Sequence, residues 1–368
     1  MGDVRSPTPI APARRDVMDV VAASQAIQAL LSKGALSYDD VLSGDLKLAS
    51  DLSRHQATIV LRENGPSYFM KTVRPDQPAA METLLHEARF YDLIRSDASL
   101  ANLRAITPNL VCYDERLTFL VTEFIKGGVN LSTYHRSINE FPPDIGRELG
   151  ALLGRWRAAT PATLRQLQPH TPWILSFASA APSPTLSGAQ HQLHALVAAS
   201  GARPVMESVR ARYGPSGIVH GDLKWENCVI SHRDGKPLLR IIDWEIVGLG
   251  DPMWDVASML ASYIAAWAFS VPADAGVPAP EKSPYPLAVV KPAMRALWTS
   301  YLAAIDLPHA SHREYLERCL TYTAARLLQT IFEYNIQQQI LPTPSIMALQ
   351  LAVNLLQEPL KGVNIIDG

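Results

Sequence analysis

The sequence predicts an α+β protein of two lobes, or a small domain packed on a larger one. Strand and turn signals crowd the amino-terminal third, and helical periodicity dominates much of the chain beyond Asp144. With 368 residues at 48% hydrophobic and 18% charged content, there is enough apolar surface for a full core. A formal net charge of -2 gives no overall field for nucleic acid, and no basic run is interleaved with aromatic residues.

The elements follow in order. The first sixteen residues carry Arg5, Arg14 and Arg15 among Pro7, Pro9 and Pro12 with no apolar core, which reads as a tail and not as a signal peptide. Asp16 to Lys33 has the pattern of an amphipathic helix stopped by Gly34, an addition before the small lobe. Asn64-Gly65 marks a turn, and Ser67-Tyr-Phe-Met-Lys71-Thr-Val alternates as a strand. Glu82 to Arg95 reads as a helix with Leu84, Ala88, Tyr91 and Ile94 on one face. Glu87 falls on that face. Lone burial of a carboxylate is costly, and Lys71 is the natural partner; the alternative is an exposed lysine and a boundary glutamate.

Leu117 to Ile125 is an apolar strand running into Lys126-Gly127-Gly128. After Pro142-Pro143, Asp144 to Arg157 sets Ile145, Leu149, Leu152, Leu153 and Trp156 on one helical side. Residues 178–190 and 271–286, rich in Pro, Ala and Ser, read as surface loops or substrate-side insertions. Val256 to Val271 is the longest uncharged stretch, but it is too short for a membrane span, carries three serines and is closed by Pro272. It is expected to be the central helix of the large lobe. Arg313 to Leu360 again has helical periodicity, and no internal repeat is present. Cys112, Cys228 and Cys319 lie far apart in apolar sequence, as reduced thiols of a cytoplasmic protein do.

The chemistry is concentrated between Val219 and Ala257. The chain there reads His220-Gly221-Asp222-Leu223-Lys224-Trp225-Glu226-Asn227, then Ile241-Ile242-Asp243-Trp244-Glu245, then Gly250-Asp251-Pro252 with Asp255. An acid followed five positions later by an asparagine, with a second aspartate closing an apolar strand, supplies a group to orient an alcohol and two ligands for magnesium. Asp234-Gly235 is a hairpin signal between two apolar runs, and pairing centred on it puts Asn227 beside Ile242 and Asp243. Oxygen ligands of that kind suit Mg2+ carried in with nucleotide phosphates. Singly, Asp222 reads as a turn residue, Asn227 as a strand-entry cap and Asp243 as a helix cap. Together and in this order they point to ATP-dependent phosphoryl transfer, with Asp222 orienting a hydroxyl and accepting its proton. His220 is expected to pack beneath the loop, and Asp255 to accept hydrogen bonds from the loop amides.

These three blocks resemble the aminoglycoside phosphotransferase and choline kinase family, relatives of the protein kinases. The resemblance implies a bilobal protein-kinase-like fold: a small antiparallel-sheet lobe at 46–126 and a larger, mainly helical lobe at 127–368, after a tail and extra helix at 1–45. It also implies ATP in the cleft between lobes, Asp222 as base, and Asn227 and Asp243 as Mg2+ ligands. Lys71, held by Glu87, would lie near the phosphates, and the backbone of Glu123, Phe124 and Ile125 would meet the adenine edge. One departure stands out. The segment expected over the phosphates, residues 51–56, has no glycine, so side chains such as Ser53 and Arg54 would replace backbone donors; Arg54 as a solvated turn residue is the alternative.

For the acceptor, Glu207 is the sole acid between Trp156 and His220, against Arg157, Arg165, Arg203, Arg210 and Arg212. A polycationic aminoglycoside would ask for several carboxylates there, unless these arginines merely solvate helices. Lys224, two positions after Asp222, resembles the lysine that serine/threonine protein kinases place on the transferring phosphoryl group, where a cation stabilises developing charge. Residues 51–56, and 349–356 with Pro359 following, resemble the branch of the family found in ribosomal-peptide (lanthipeptide or thioamitide) biosynthesis. In that branch a kinase phosphorylates serine or threonine of a precursor peptide, and a separate lyase eliminates the phosphate. The expectation is therefore an ATP and Mg2+ dependent phosphotransferase acting on a peptide hydroxyl. The alternatives are a small-molecule alcohol (antibiotic, choline-like or sugar-like) as acceptor, or a catalytically silent kinase-fold scaffold.

Overall fold

A computed structural model describes residues 20–51, 56–74, 76–114, 119–156, 161–233, 236–274 and 277–366. The amino-terminal tail, Ser53 and Arg54, Arg157 and the Asp234-Gly235 turn lie outside the described residues. The fold is α+β, as the sequence predicts, and the chain divides into two compact units: residues 1–88 with 109–126, and residues 89–108 with 127–368.

The first unit is built on a five-stranded antiparallel sheet of β1 (Leu46–Asp51), β2 (Gln56–Arg62), β3 (Tyr68–Thr72), β4 (Leu110–Asp114) and β5 (Phe119–Glu123), in the order β1-β2-β3-β5-β4. Strand alternation decides which side chains meet the core. Tyr68 and Met70 of β3 join Val60, Phe119 and Val121 on the face covered by helix α1 (Val20–Ser32), which contributes Ala26, Ala29 and Leu30. Gly34, in the left-handed region at φ +69°, follows the end of α1, and the Tyr68 hydroxyl donates to the Ala35 carbonyl at 2.7 Å. Lys71, out of phase with Tyr68 and Met70, is left on the opposite face. Helix α2 (Pro78–Ser96) begins four residues before the predicted start, because proline is well suited to a first helical turn.

The second unit holds β6 (Val129–Asn130), β7 (Gly217–Val219), β8 (Cys228–Arg233), β9 (Lys236–Ile241) and β10 (Gly248–Gly250). β6-β8-β9 form one small sheet, and β7 pairs with β10. Around them lie α3 (Pro143–Arg155), α4 (Met253–Ser270), α5 (Leu287–Ala304), α6 (His312–Tyr334) and α7 (Thr343–Gln357). Thirteen residues of α4 are buried, so it is apolar on every side and central, as expected. No helix among the described residues is long and apolar enough to cross a membrane. The 271–286 segment carries a short ribbon pairing Ala273–Asp274 with Val277–Pro278.

The α3 and α5 backbones pack in direct contact. Gly146, Gly150 and Gly154 recur every four residues along α3; a Cβ at Gly146 would stand 2.1 Å from the Ala293 carbonyl oxygen, and one at Gly150 2.0 Å from that of Leu297. Only glycine fits this seam.

Candidate active site

Local structure places each predicted site group among the described residues. In the first unit, Lys71 lies between Ala57 of β2 and Leu120 of β5, and its Nζ reaches Glu87 Oε2 of α2 at 2.6 Å. The two residues are 8% and 2% exposed, so the predicted pair is formed and buried. At the end of β5, the Glu123 and Phe124 amides already donate to the Asn109 and Ser67 carbonyls, both at 2.8 Å. The Glu123 carboxylate accepts from the Asn109 side chain at 2.8 Å. The Glu123 and Phe124 N–H groups are therefore engaged within the protein.

In the second unit, β7 delivers His220, Gly221 and Asp222. Asp255, near the start of α4, accepts from the His220 amide at 2.7 Å and the Gly221 amide at 3.2 Å, and Trp254 Nε1 donates to the Gly221 carbonyl at 3.2 Å. Burial pushes the Asp255 carboxyl up to about 7 against those two amide bonds. His220 is buried against Trp244, with ring centroids 4.7 Å apart. Burial lowers its pKa, so the imidazole is neutral, and its Nε2–H donates to the Ile242 carbonyl at 2.9 Å. It props the loop, as expected.

Asn227 ends a short 3-10 turn, Trp225–Asn227, and its Nδ2 donates to the Asp222 carbonyl at 2.9 Å. That commits the amide nitrogen and leaves the side-chain oxygen as acceptor. β8 and β9 pair with Cys228 opposite Ile241, and the Ile242 amide donates to the Asn227 carbonyl at 3.0 Å. Ile242 is thus pinned at both its N–H and its C=O, and Asp243 follows it in the left-handed region at φ +67°, which aspartate tolerates better than most residues. Asn227 and Asp243 flank one end of the hairpin, and Asp222 is tied to that end by the Asn227 side chain. An amide oxygen and a carboxylate there are the hard donors a magnesium ion takes.

Both oxygens of Asp222 face cations: Oδ2 accepts from Lys224 Nζ at 2.6 Å, and Oδ1 from Arg326 Nη2 of α6 at 3.1 Å. Lys224 and Arg326 line a cavity of about 720 Å³ whose walls include Phe141, Trp225, Tyr285 and Glu333. Arg136, Lys224 and Arg326 meet Glu226 and Glu333 in this lining, a nearly balanced set. None of the described arginines between Trp156 and His220 lines it. The charges of this cavity come from Arg136, from Lys224 and Glu226 beside Asp222, and from Arg326 and Glu333 of α6.

A family model described as the phosphotransferase enzyme family, APH, matches residues 47–283, more than half of the sequence. The chain belongs to this family. Viomycin phosphotransferase of Streptomyces vinaceus is 47% identical over 49 residues, a match spanning 13% of this chain and 17% of that relative. Among solved structures, an ethanolamine kinase from Plasmodium vivax has a TM-score of 0.57 at 10% identity, covering 94% of this chain and 90% of its own. A choline kinase from Cryptosporidium parvum has a TM-score of 0.55 at 11% identity, covering 93% and 96%. At such identities these structures share the fold alone, the kinase-like fold that the sequence motifs imply.

Two residues beside Asp222 escape the sequence motifs, Arg326 and Glu333. Arg326 is fully buried and sits 104 positions from the carboxylate it meets. The signal was a lone cation inside the apolar pattern Ala324-Ala325-Arg326-Leu327-Leu328, where burial demands a partner, as at Glu87.

Proposed function

We propose that this phosphotransferase moves the γ-phosphoryl group of ATP onto an alcohol hydroxyl, and that its acceptor is a serine or threonine of a peptide. The observation that supports transfer is the Asp222 carboxylate, hydrogen-bonded beside a cavity and next to Asn227 on the same pinned loop. In this reading Asp222 Oδ2 accepts the hydroxyl proton as the acceptor oxygen bonds to phosphorus and the bond to the departing ADP breaks. Asn227 and Asp243 would hold Mg2+, which when bound neutralises phosphate charge. Lys224, released from Asp222, would meet the equatorial oxygens. Lys71, aligned by Glu87, would meet the nucleotide phosphates, and the Ile125 N–H the base; Ser53 and Arg54 are proposed as further phosphate donors.

The peptide reading is supported by the cavity lining. Glu333 is engaged by Arg326, and Glu226 shares the lining with Arg136 and Lys224, so a polycation would find no excess of negative charge, whereas Phe141, Trp225, Phe269, Tyr285 and Tyr334 offer apolar faces to side chains. A phosphorylated serine or threonine is a substrate for elimination, and a separate lyase is the class of enzyme that would consume it. The local match to viomycin phosphotransferase favours a second reading, a small antibiotic alcohol. Incubation with Mg-ATP and a panel of serine/threonine peptides, viomycin, choline and kanamycin, read by mass spectrometry, separates them. Peptide phosphorylation that Asp222→Ala abolishes is expected. Equal labelling of kanamycin overturns the charge argument, and no ATP consumption at millimolar ATP makes the chain a scaffold.

A further inference from the structure

We infer that Arg326 is a positioning residue of this phosphotransferase: it holds the Asp222 carboxylate by Oδ1, with Glu333 as its brace, so that Oδ2 is the oxygen presented to the acceptor. This rests on the assignment of Asp222 as the group that orients the hydroxyl.

With Oδ2 on Lys224 and Oδ1 on Arg326, the carboxylate has a cation on each oxygen. To receive a hydroxyl proton it must release one of them, and the two cations differ in how firmly they are held. Lys224 stands two residues away on the same loop, 30% exposed, a point charge on a flexible stem. Arg326 has a side chain 2% exposed, on a 23-residue helix where Ala324, Ala325, Leu327 and Leu328 are buried around it. Its planar guanidinium is held at two ends: Nη2 on Asp222, and Nη1 at 3.5 Å from both oxygens of Glu333. Glu333 is itself held by Gln329 Nε2 at 2.9 Å. Residues 326, 329 and 333 fall on one face of α6 by their three- and four-residue spacing, so the brace is built into a single rigid element.

Lys224 is therefore the cation that leaves, and Arg326 the one that stays. The guanidinium, fixed between Glu333 and Asp222, holds Oδ1 from a set direction, which a flexible point charge cannot do. Because Arg326, Glu333 and Lys224 line the same cavity, an acceptor would sit against the brace itself. Its fit against Glu333 bears on how Asp222 is aimed.

The test compares Arg326→Ala, Arg326→Lys and Glu333→Gln with the wild-type chain, measuring kcat and KM for Mg-ATP with the acceptor the wild type labels, and thermal unfolding in parallel. Arg326→Ala should lose about 100-fold in kcat, the scale of an ångström-level misplacement, with KM for ATP within about twofold. Added guanidinium ion should restore part of that loss, and ammonium should not. Arg326→Lys, which keeps the charge and loses the fork, should remain impaired in kcat while folded, and covers the case in which the alanine variant does not fold. Glu333→Gln should shift kcat the same way by less. A wild-type kcat in Arg326→Lys, or a loss in Arg326→Ala that tracks the unfolded fraction and is not rescued, overturns the positioning role. A wild-type chain that consumes no ATP, or an Asp222→Asn variant that retains turnover, instead overturns the assignment of Asp222 and the positioning role with it.

Discussion

Gly221→Ala should damage both stability and turnover, and the two losses can be worked from separate contacts. Gly221 has φ +83°, and an added Cβ would stand 2.9 Å from Cε1 and Nε2 of the His170 ring and 3.1 Å from the Ile246 carbonyl oxygen. Holding an L-residue in the left-handed region costs about 1–2 kcal/mol. Forcing a methyl into packed surroundings costs about 1–3 kcal/mol more. Carbon atoms settle at about 3.5–4.0 Å, so relief requires a shift of roughly half an ångström or more. The peptide groups of Gly221 are bonded to Asp255 and Trp254, and Asp222 follows directly, so the shift is passed to the carboxylate proposed to react. A fall of about 2–5 kcal/mol in urea-unfolding stability is expected. Turnover with Mg-ATP should drop between about 10- and 100-fold. Gly127→Ala is the control: φ is +67° but nothing lies within 4 Å of the new methyl, so only the backbone cost of about 1–2 kcal/mol remains. Wild-type kcat and an unchanged urea midpoint in Gly221→Ala would refute the reasoning.

Three further outcomes are expected. Asp243→Asn keeps a residue type that tolerates φ +67°, so its melting temperature should match wild type while Mg-dependent turnover disappears; retained turnover removes Asp243 from the metal site. Lys71→Met leaves Glu87 buried without its lysine, which should cost about 3–5 kcal/mol by denaturant titration. Adding Glu87→Met should recover most of that stability and none of the turnover; recovery of both would make the pair purely structural. Burial pulls the His135 imidazole down to about 4, against the hydrogen bond its Nδ1–H donates to the Glu140 carbonyl at 2.9 Å. A folded pKa below the unfolded value of about 6.5 contributes stability that is full above that value and lost as pH falls through 4. Between pH 7 and pH 4 the wild type should lose about 3 kcal/mol more than His135→Asn in urea titrations; parallel pH profiles would contradict this.

Much of the site was legible because its determinants are local. The register of β8 and β9 follows from two apolar runs flanking one turn signal, so the juxtaposition of Asn227 with Ile242 could be read by counting. Glu87 was legible because an acid on an apolar helical stripe must find a cation. Arg326 obeys the same rule, but its partner arrives from 104 positions away, and nothing near it in sequence names that partner. Helix α5 went unread because Pro292 falls inside it, where proline ordinarily argues for a break. The charges of the cavity beside Asp222 went unread for a related reason: charge counted along residues 156–220 says nothing of which helix faces the Asp222 loop.

The glycine seam of α3 and α5 reaches beyond packing. Phe141 stands two residues before α3 and Tyr285 two residues before α5, and their rings meet edge to face at 5.3 Å in the cavity wall. Because the two helices touch backbone to backbone, neither ring can retreat without prising them apart. That side of the cavity works as the fixed jaw of a vice. Any widening of the cavity would have to come from other parts of its wall, such as Phe269 of α4 or Thr330 and Tyr334 of α6, and under the proposed function a search for altered acceptor range is best begun at those three positions.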